Sequence, residues 1–155
     1  MPLIDPGKKA PAFTLKDQRG TSHRLSQYAG RPVVVYFYPK DDTSGCTKEA
    51  CAFEDNLPKF KRGKAVVLGV SILDEASKAK FAAKYDLTFP LLADADHGVA
   101  EKYGVWQKKS LYGRAFMGIV RTTYLIGPSG KVARRWDNVK VDGHADAVLA
   151  AVGEL

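Results

Sequence analysis

The chain is poor in the residues that most readily disclose a chemistry. It has two cysteines and three histidines among 155 residues. Two cysteines cannot build the disulfide framework of a small secreted scaffold. His23, His97 and His144 are scattered, and none lies near either cysteine in sequence. Soft thiolates without further ligands make a poor metal module or copper chaperone, so each histidine reads as a surface or packing residue. No apolar run approaches the roughly 20 residues that cross a bilayer, and no membrane partner is expected. The first ten residues, Met-Pro-Leu-Ile-Asp-Pro-Gly-Lys-Lys-Ala, contain no apolar stretch of the secretory type, so a cytoplasmic location is expected. Repeats, low-complexity tracts and interdomain linkers are also missing. With 45% hydrophobic residues, a single domain over 1–155 can bury a core sufficient to fold alone.

Acidic residues are the scarcer charge, 17 against 24 lysines and arginines, for a net charge of +7. That excess invites a nucleic-acid reading. The basic residues read as scattered, however, and the densest group, Lys59 to Lys64, coincides with a helix end at Gly63. Cations in a last helical turn complement the macrodipole, so no nucleic-acid partner is expected.

Both cysteines lie in one stretch, Pro39-Lys40-Asp41-Asp42-Thr43-Ser44-Gly45-Cys46-Thr47-Lys48-Glu49-Ala50-Cys51. It follows an apolar run, Val33 to Tyr38, and opens a segment of helical periodicity. A strand that ends in a polar loop and turns into a helix places that loop at the helix N-terminus, where unpaired N–H groups and the macrodipole favour negative charge. Cys46, Ala50, Phe53, Leu57 and Phe60 recur at helical steps, so Cys46 heads the core-facing side. Cys51 is rotated roughly 140° from it and stands about 8.6 Å away on an intact helix. A disulfide needs Cα atoms within about 7 Å. The two can bond only if the first turn unwinds.

In chain order the pattern predicts a hairpin over residues 12–25, a buried strand at 33–38, and the cysteine-bearing helix, kinked or interrupted near Pro58. A second buried strand at 65–71 completes a right-handed βαβ unit with a parallel pair. A helix at 75–85, a short strand at 89–93 and a short helix at 97–103 follow. Strands at 119–126 and 131–136 flank Gly127-Pro128-Ser129-Gly130, a hairpin signal. The Gly-Lys at 130–131 lacks the spacing of a phosphate loop. A helix over 143–152 closes the chain. This order is that of an α/β, thioredoxin-like fold with an N-terminal β-hairpin extension and an α-β insertion.

The motif Pro39-x-x-x-Thr43-x-x-Cys46 resembles that of the peroxiredoxins, and the string Thr43 to Cys51 resembles the peroxiredoxin Q, or bacterioferritin comigratory protein, subfamily. Further similarity runs through Gly7 to Leu15, Tyr103 to Trp106, Tyr112-Gly113, Gly118 to Tyr124 and Trp136 to His144, nearly the whole chain. Tyr124 stands where that family more often has Phe. The resemblance implies thiol-dependent reduction of hydroperoxides, with Pro39, Thr43, Cys46 and Arg121 forming the peroxidatic site. It implies that Glu49 orients Arg121, although a place in the first turn would also let Glu49 complement the dipole.

Attack on an O–O bond needs a thiolate, which a free thiol of pKa about 8.5 supplies poorly at neutral pH. A helix N-terminus and a guanidinium both favour the anion. Thr43 can offer its hydroxyl, and as N-cap it would serve two roles. Pro39 closes the pocket without a competing donor. Trp106, Tyr112 and Phe116 line the pocket mouth or simply pack. Oxidation gives a Cys46 sulfenic acid, which condenses with Cys51, the only other thiol, to a disulfide. An external dithiol such as thioredoxin reopens it. No cofactor is required, and with an internal resolving thiol a monomer is the default and a dimer optional.

A lone cysteine on an apolar helix face is ordinarily a small core residue; the Pro, the Thr and the second cysteine argue otherwise here. A thiol–disulfide oxidoreductase would use Cys-x-x-Cys, whereas four residues intervene. A redox sensor that oxidises without turnover shares the first step with a peroxidase, and consumption of many equivalents of peroxide separates the two.

Overall fold

The computed structural model describes residues 1–155. Its centre is the apolar run, which forms strand β3 (Val33–Phe37) with every residue buried. Alternate side chains of a strand point to opposite faces. Val34, Tyr36 and Tyr38 enter one hydrophobic cluster and Val33, Val35 and Phe37 the other. Both faces are therefore covered, which is why this strand reads as continuously apolar.

Around β3 a seven-stranded sheet has the order β2-β1-β5-β4-β3-β8-β9. β4 (Val66–Ser71) lies parallel to β3 and β5 (Leu91–Ala93) parallel to β4. β8 (Thr122–Ile126) and β9 (Val132–Trp136) continue the other edge as the expected antiparallel hairpin. The short strands β1 (Thr14–Lys16) and β2 (Ser22–Arg24) extend the sheet beyond β5. The first face is covered by α1 (Ser44–Asp55), α2 (Leu57–Arg62), α3 (Glu75–Tyr85) and α5 (His144–Gly153). The second carries α4 (Gly98–Lys102) and the N-terminal segment, with Ala10, Phe13 and Tyr103 packed against it.

The expected interruption near Pro58 is present, and one expected strand divides. The break in the cysteine-bearing helix falls at Asn56, ahead of Pro58. Pro58 sits in the first turn of α2, where a missing N–H leaves no bond unmade. The strand expected over 119–126 is two strands. β7 (Arg114–Ile119) pairs with β6 (Trp106–Leu111) in a separate ribbon, and β8 starts afresh at Thr122. Val120 and Arg121 occupy the interval between them.

Candidate active site

The chain leaves β3 at Phe37 and passes through Tyr38, half-buried Pro39 and Lys40 to the start of α1. Thr43 is the N-cap residue in extended backbone, and its carbonyl accepts the first helical bond from Thr47 N–H at 2.8 Å. Its hydroxyl does not cap the helix by accepting an amide hydrogen. It donates instead to the Lys40 carbonyl at 2.9 Å, across the loop. That bond uses the hydroxyl hydrogen and leaves the oxygen lone pairs free to accept. The amides of residues 44–46 precede the first helical bond, so they have no intrahelical acceptor.

Cys46 stands in this first turn, 1% exposed, at the head of the buried face formed by Ala50, Phe53, Leu57 and Phe60. Arg121 reaches it from the interval between β7 and β8. Its Nη2 donates to Cys46 Sγ at 3.3 Å and its Nη1 to Glu49 Oε1 at 2.6 Å. Glu49 is buried and lies beyond the first turn, so it pairs with Arg121 and does not complement the dipole. Its second oxygen, Oε2, meets no donor. Burial pushes the Glu49 carboxyl up to about 7 against the pull of Arg121. Burial alone would pull the Arg121 guanidinium down; Glu49 and the Cys46 sulfur outweigh it and hold the cation above its ordinary value. A fixed cation thus faces the sulfur in the first turn of the helix, whose amides lack intrahelical acceptors.

The loop that carries Pro39 and Thr43 is anchored from beneath by residues the sequence reading did not single out. Asp41 accepts from Tyr38 Oη at 2.5 Å and Ser77 Oγ at 2.8 Å, and Lys78 Nζ lies 3.3 Å from its Oδ2. Lys78 is completely buried and also donates to Ser71 Oγ. Burial draws the Lys78 ammonium down, while Asp41 acts against that. Next to it Asp42 adopts φ +59° and accepts from Lys84 and Tyr85 of α3. A signal was available: Lys78 shares a helix face with Phe81 and Ala82, both buried. A lysine in a core-facing register needs a buried partner.

Cys51 lies one and a half turns along α1, half-buried, and both cysteines are free thiols. Burial raises the Cys51 thiol, and Asp55 and Glu54 add to the shift. The two sulfurs therefore sit in opposite surroundings, one facing a cation and one beside carboxylates. Trp106, Tyr112 and Phe116, expected to line the pocket mouth or to pack, belong to the segment 106–119 that precedes Arg121. Trp106 stacks on His97 with ring centroids 4.3 Å apart, Tyr112 stands at the tip of the β6–β7 ribbon, and Phe116 is exposed on β7. His23 and His144 are packing residues, bonded to Asp17 and Tyr28 and to Thr123 respectively.

Known proteins resemble this chain over nearly their full length. The chain is 41% identical to the peroxiredoxin Bcp of Bacillus subtilis over 152 residues, covering 98% of this chain and 97% of that one. It is 43% identical to the peroxiredoxin Bcp of Escherichia coli over 143 residues, 92% of each chain. The structure of the Xanthomonas campestris bacterioferritin comigratory protein superposes with a TM-score of 0.91 at 41% identity, over 97% of this chain and 98% of that one. The Xylella fastidiosa peroxiredoxin Q structure gives 0.93 at 36% identity, over 97% and 96%. Residues 6–135 match the profile of the AhpC/TSA family. On this similarity of sequence and fold the chain belongs to the AhpC/TSA family, as a peroxiredoxin of the Q/Bcp group.

Proposed function

We propose that Cys46 is the thiolate that attacks the peroxide and that Cys51 is the thiol that resolves the product. The observation that carries this reading is the Arg121 guanidinium, held by Glu49 and donating to the Cys46 sulfur. The sulfur attacks the hydrogen-bearing oxygen of R–O–O–H, the O–O bond breaks, and Cys46 becomes a sulfenic acid while RO⁻ takes up a proton and leaves as the alcohol. Arg121 and the first-turn amides face the charge that develops on the displaced oxygen. Thr43, its hydrogen committed to Lys40, accepts the hydrogen of the incoming peroxide. Pro39 bounds the pocket on the loop side.

Cys51 then attacks the sulfenic sulfur and water leaves as the disulfide forms. The first turn and a half of α1 opens to bring the sulfurs together, which also carries Cys51 away from Asp55 and Glu54. Exchange with an external dithiol of the thioredoxin type restores both thiols. We assign hydrogen peroxide and organic hydroperoxides as substrates. The Xanthomonas relative has alkyl peroxide reduction activity, which supports the organic class. No cofactor enters any step. A monomer in the cytoplasm satisfies the cycle, since both thiols are in one chain; no helix is long and apolar enough to cross a membrane.

Intact mass after one equivalent of hydrogen peroxide, followed by peptide mapping, tests the cycle. Loss of two hydrogens with Cys46 joined to Cys51 is expected. Cys46→Ser abolishes turnover, and Cys51→Ser keeps the first oxidation but loses recycling by thioredoxin. If Cys51→Ser is as inert in the first step as Cys46→Ser, the assignment of roles is wrong.

A further inference from the structure

The excess positive charge of the chain has one source. Residues 102–136 contain eight lysines and arginines and no aspartate or glutamate. The other 120 residues carry sixteen basic against seventeen acidic side chains, close to neutrality. Three of the eight, Lys108, Lys109 and Arg114, lie on the β6–β7 ribbon, and none of the three takes part in an ion pair.

Exposed apolar side chains are concentrated in the same place. Six large hydrophobic residues are exposed in the whole molecule, and two of them are the terminal Met1 and Leu155. The other four are Leu111, Tyr112, Phe116 and Met117, at 57%, 97%, 44% and 49% exposure. Their arrangement follows from the ribbon's register. Lys108 opposes Met117, Lys109 opposes Phe116 and Leu111 opposes Arg114. Opposed residues share a face and adjacent pairs alternate, so Met117 stands on one face while Leu111 and Phe116 stand on the other. Tyr112 occupies the tip, at φ +50° and followed by Gly113 at +76°. The ribbon pairs with no other strand.

We propose that the β6–β7 ribbon seats this protein on an anionic lipid surface. An apolar side chain on each face and one at the tip suit immersion in a fluid phase, whereas a protein partner would cover a single flat face. The unpaired cations beside them complement anionic head groups, and no carboxylate on the segment opposes that attraction. The tyrosine at the tip has the amphipathic ring suited to a head-group boundary. This revises the expectation that no membrane is involved. Spanning remains absent, and the contact is peripheral. β7 ends two residues before Arg121, so the site stands at the base of the ribbon, about 20 Å from its tip, and seating holds it near a surface whose lipid chains give rise to hydroperoxides. That consequence for substrate rests on the peroxidase reading; the seating does not.

Sedimentation of the full chain with phosphatidylglycerol vesicles, and with phosphatidylcholine vesicles as the neutral comparison, tests the seating. At about 0.1 M salt the chain is expected to pellet with the anionic vesicles only, and to be released at about 1 M, where charges are screened over ~3 Å. Leu111→Ser with Tyr112→Ser, and separately Lys108→Glu with Arg114→Glu, should each weaken partition by roughly tenfold or more. Circular dichroism of each variant controls for folding. Equal pelleting of wild type and tip variant overturns the proposal, as does no pelleting of the wild type. So does a concentration-dependent dimer that the tip variant abolishes without vesicle binding, since the ribbon would then cover a second copy. Hydrogen peroxide consumption is measured alongside; its failure in wild type that still binds vesicles would sink the peroxidase reading alone.

Discussion

A Cβ placed on Gly45 would stand 3.3 Å from Arg121 Nη2, the nitrogen that donates to Cys46. The backbone there is not left-handed, so alanine would be tolerated by the chain and felt by the guanidinium. Gly45→Ala is expected to slow Cys46 oxidation by roughly ten- to a hundredfold, the usual effect of a small misplacement at a reacting centre, with the denaturation midpoint little changed. Stopped-flow oxidation beside a urea titration measures both, and a variant that oxidises at the wild-type rate would show that Arg121 has slack. Lys78 makes the opposite kind of demand. Lys78→Met leaves the Asp41 carboxylate buried without its cation, which typically costs about 3–5 kcal/mol, readable as a lowered urea midpoint. Asp41→Asn in the same chain should recover much of that loss, because the buried charge goes with it.

Among the elements, α1 has two differently fastened halves. Its first turns are held by the Arg121–Glu49 pair and by an exposed pair between Lys48 and Asp142. Beyond Cys51, Glu54 accepts from Thr88 N–H at 2.6 Å and from Thr88 Oγ1 at 2.7 Å, a bidentate tie to the segment before β5. Oxidation to the Cys46–Cys51 disulfide is therefore expected to erase amide protection over residues 46–51 while α2 keeps its protection. Thr88→Val should let the loss spread toward Asn56 in hydrogen-exchange mass spectrometry. Most elements were legible in the sequence because their periodicity coincides with burial: the runs at 33–38 and 65–71 are buried throughout, and the Cys46 to Phe60 face became the core face. The β6–β7 ribbon was not, since its apolar residues face solvent and its turn begins with a tyrosine at positive φ, a position that favours Asn, Asp or Gly. Within the candidate site, the place of Cys46 at the head of the core-facing side could be read from local spacing, and Thr43 as an N-cap, while the chemical role of Thr43 came from the family resemblance. The nearness of Arg121 is a product of the fold, 75 residues away in the chain, and only the family resemblance anticipated it.

At the scale of the molecule, two buried groups pull the pH dependence of stability in opposite directions. Burial, helped by Arg121, lowers His144 from 6.5 to about 4, so the unfolded chain binds more protons in that window and stability rises with pH. Glu49 moves from 4.5 to about 7, so the folded chain binds more protons there and stability falls as pH rises. Each contribution is about 3 kcal/mol at most. Between pH 4.5 and 6.5 their contributions oppose one another and largely offset. Relative to the wild type, Glu49→Gln should tilt the profile upward with pH and His144→Asn downward, in urea midpoints taken across that range; parallel profiles would refute the opposition. The two-sided core has a consequence for how the protein can be watched. Its two tryptophans lie on opposite sides of the sheet, Trp136 against the cluster that contains Cys46 and Trp106 against the other. Trp136 meets His144, and His144 meets Phe53 of α1. Intrinsic fluorescence should therefore follow the redox state through one indole only. Trp106→Phe should keep the emission change on oxidation and Trp136→Phe should lose it, giving an optical readout of the half of the molecule that holds Cys46, with the far half as a silent reference.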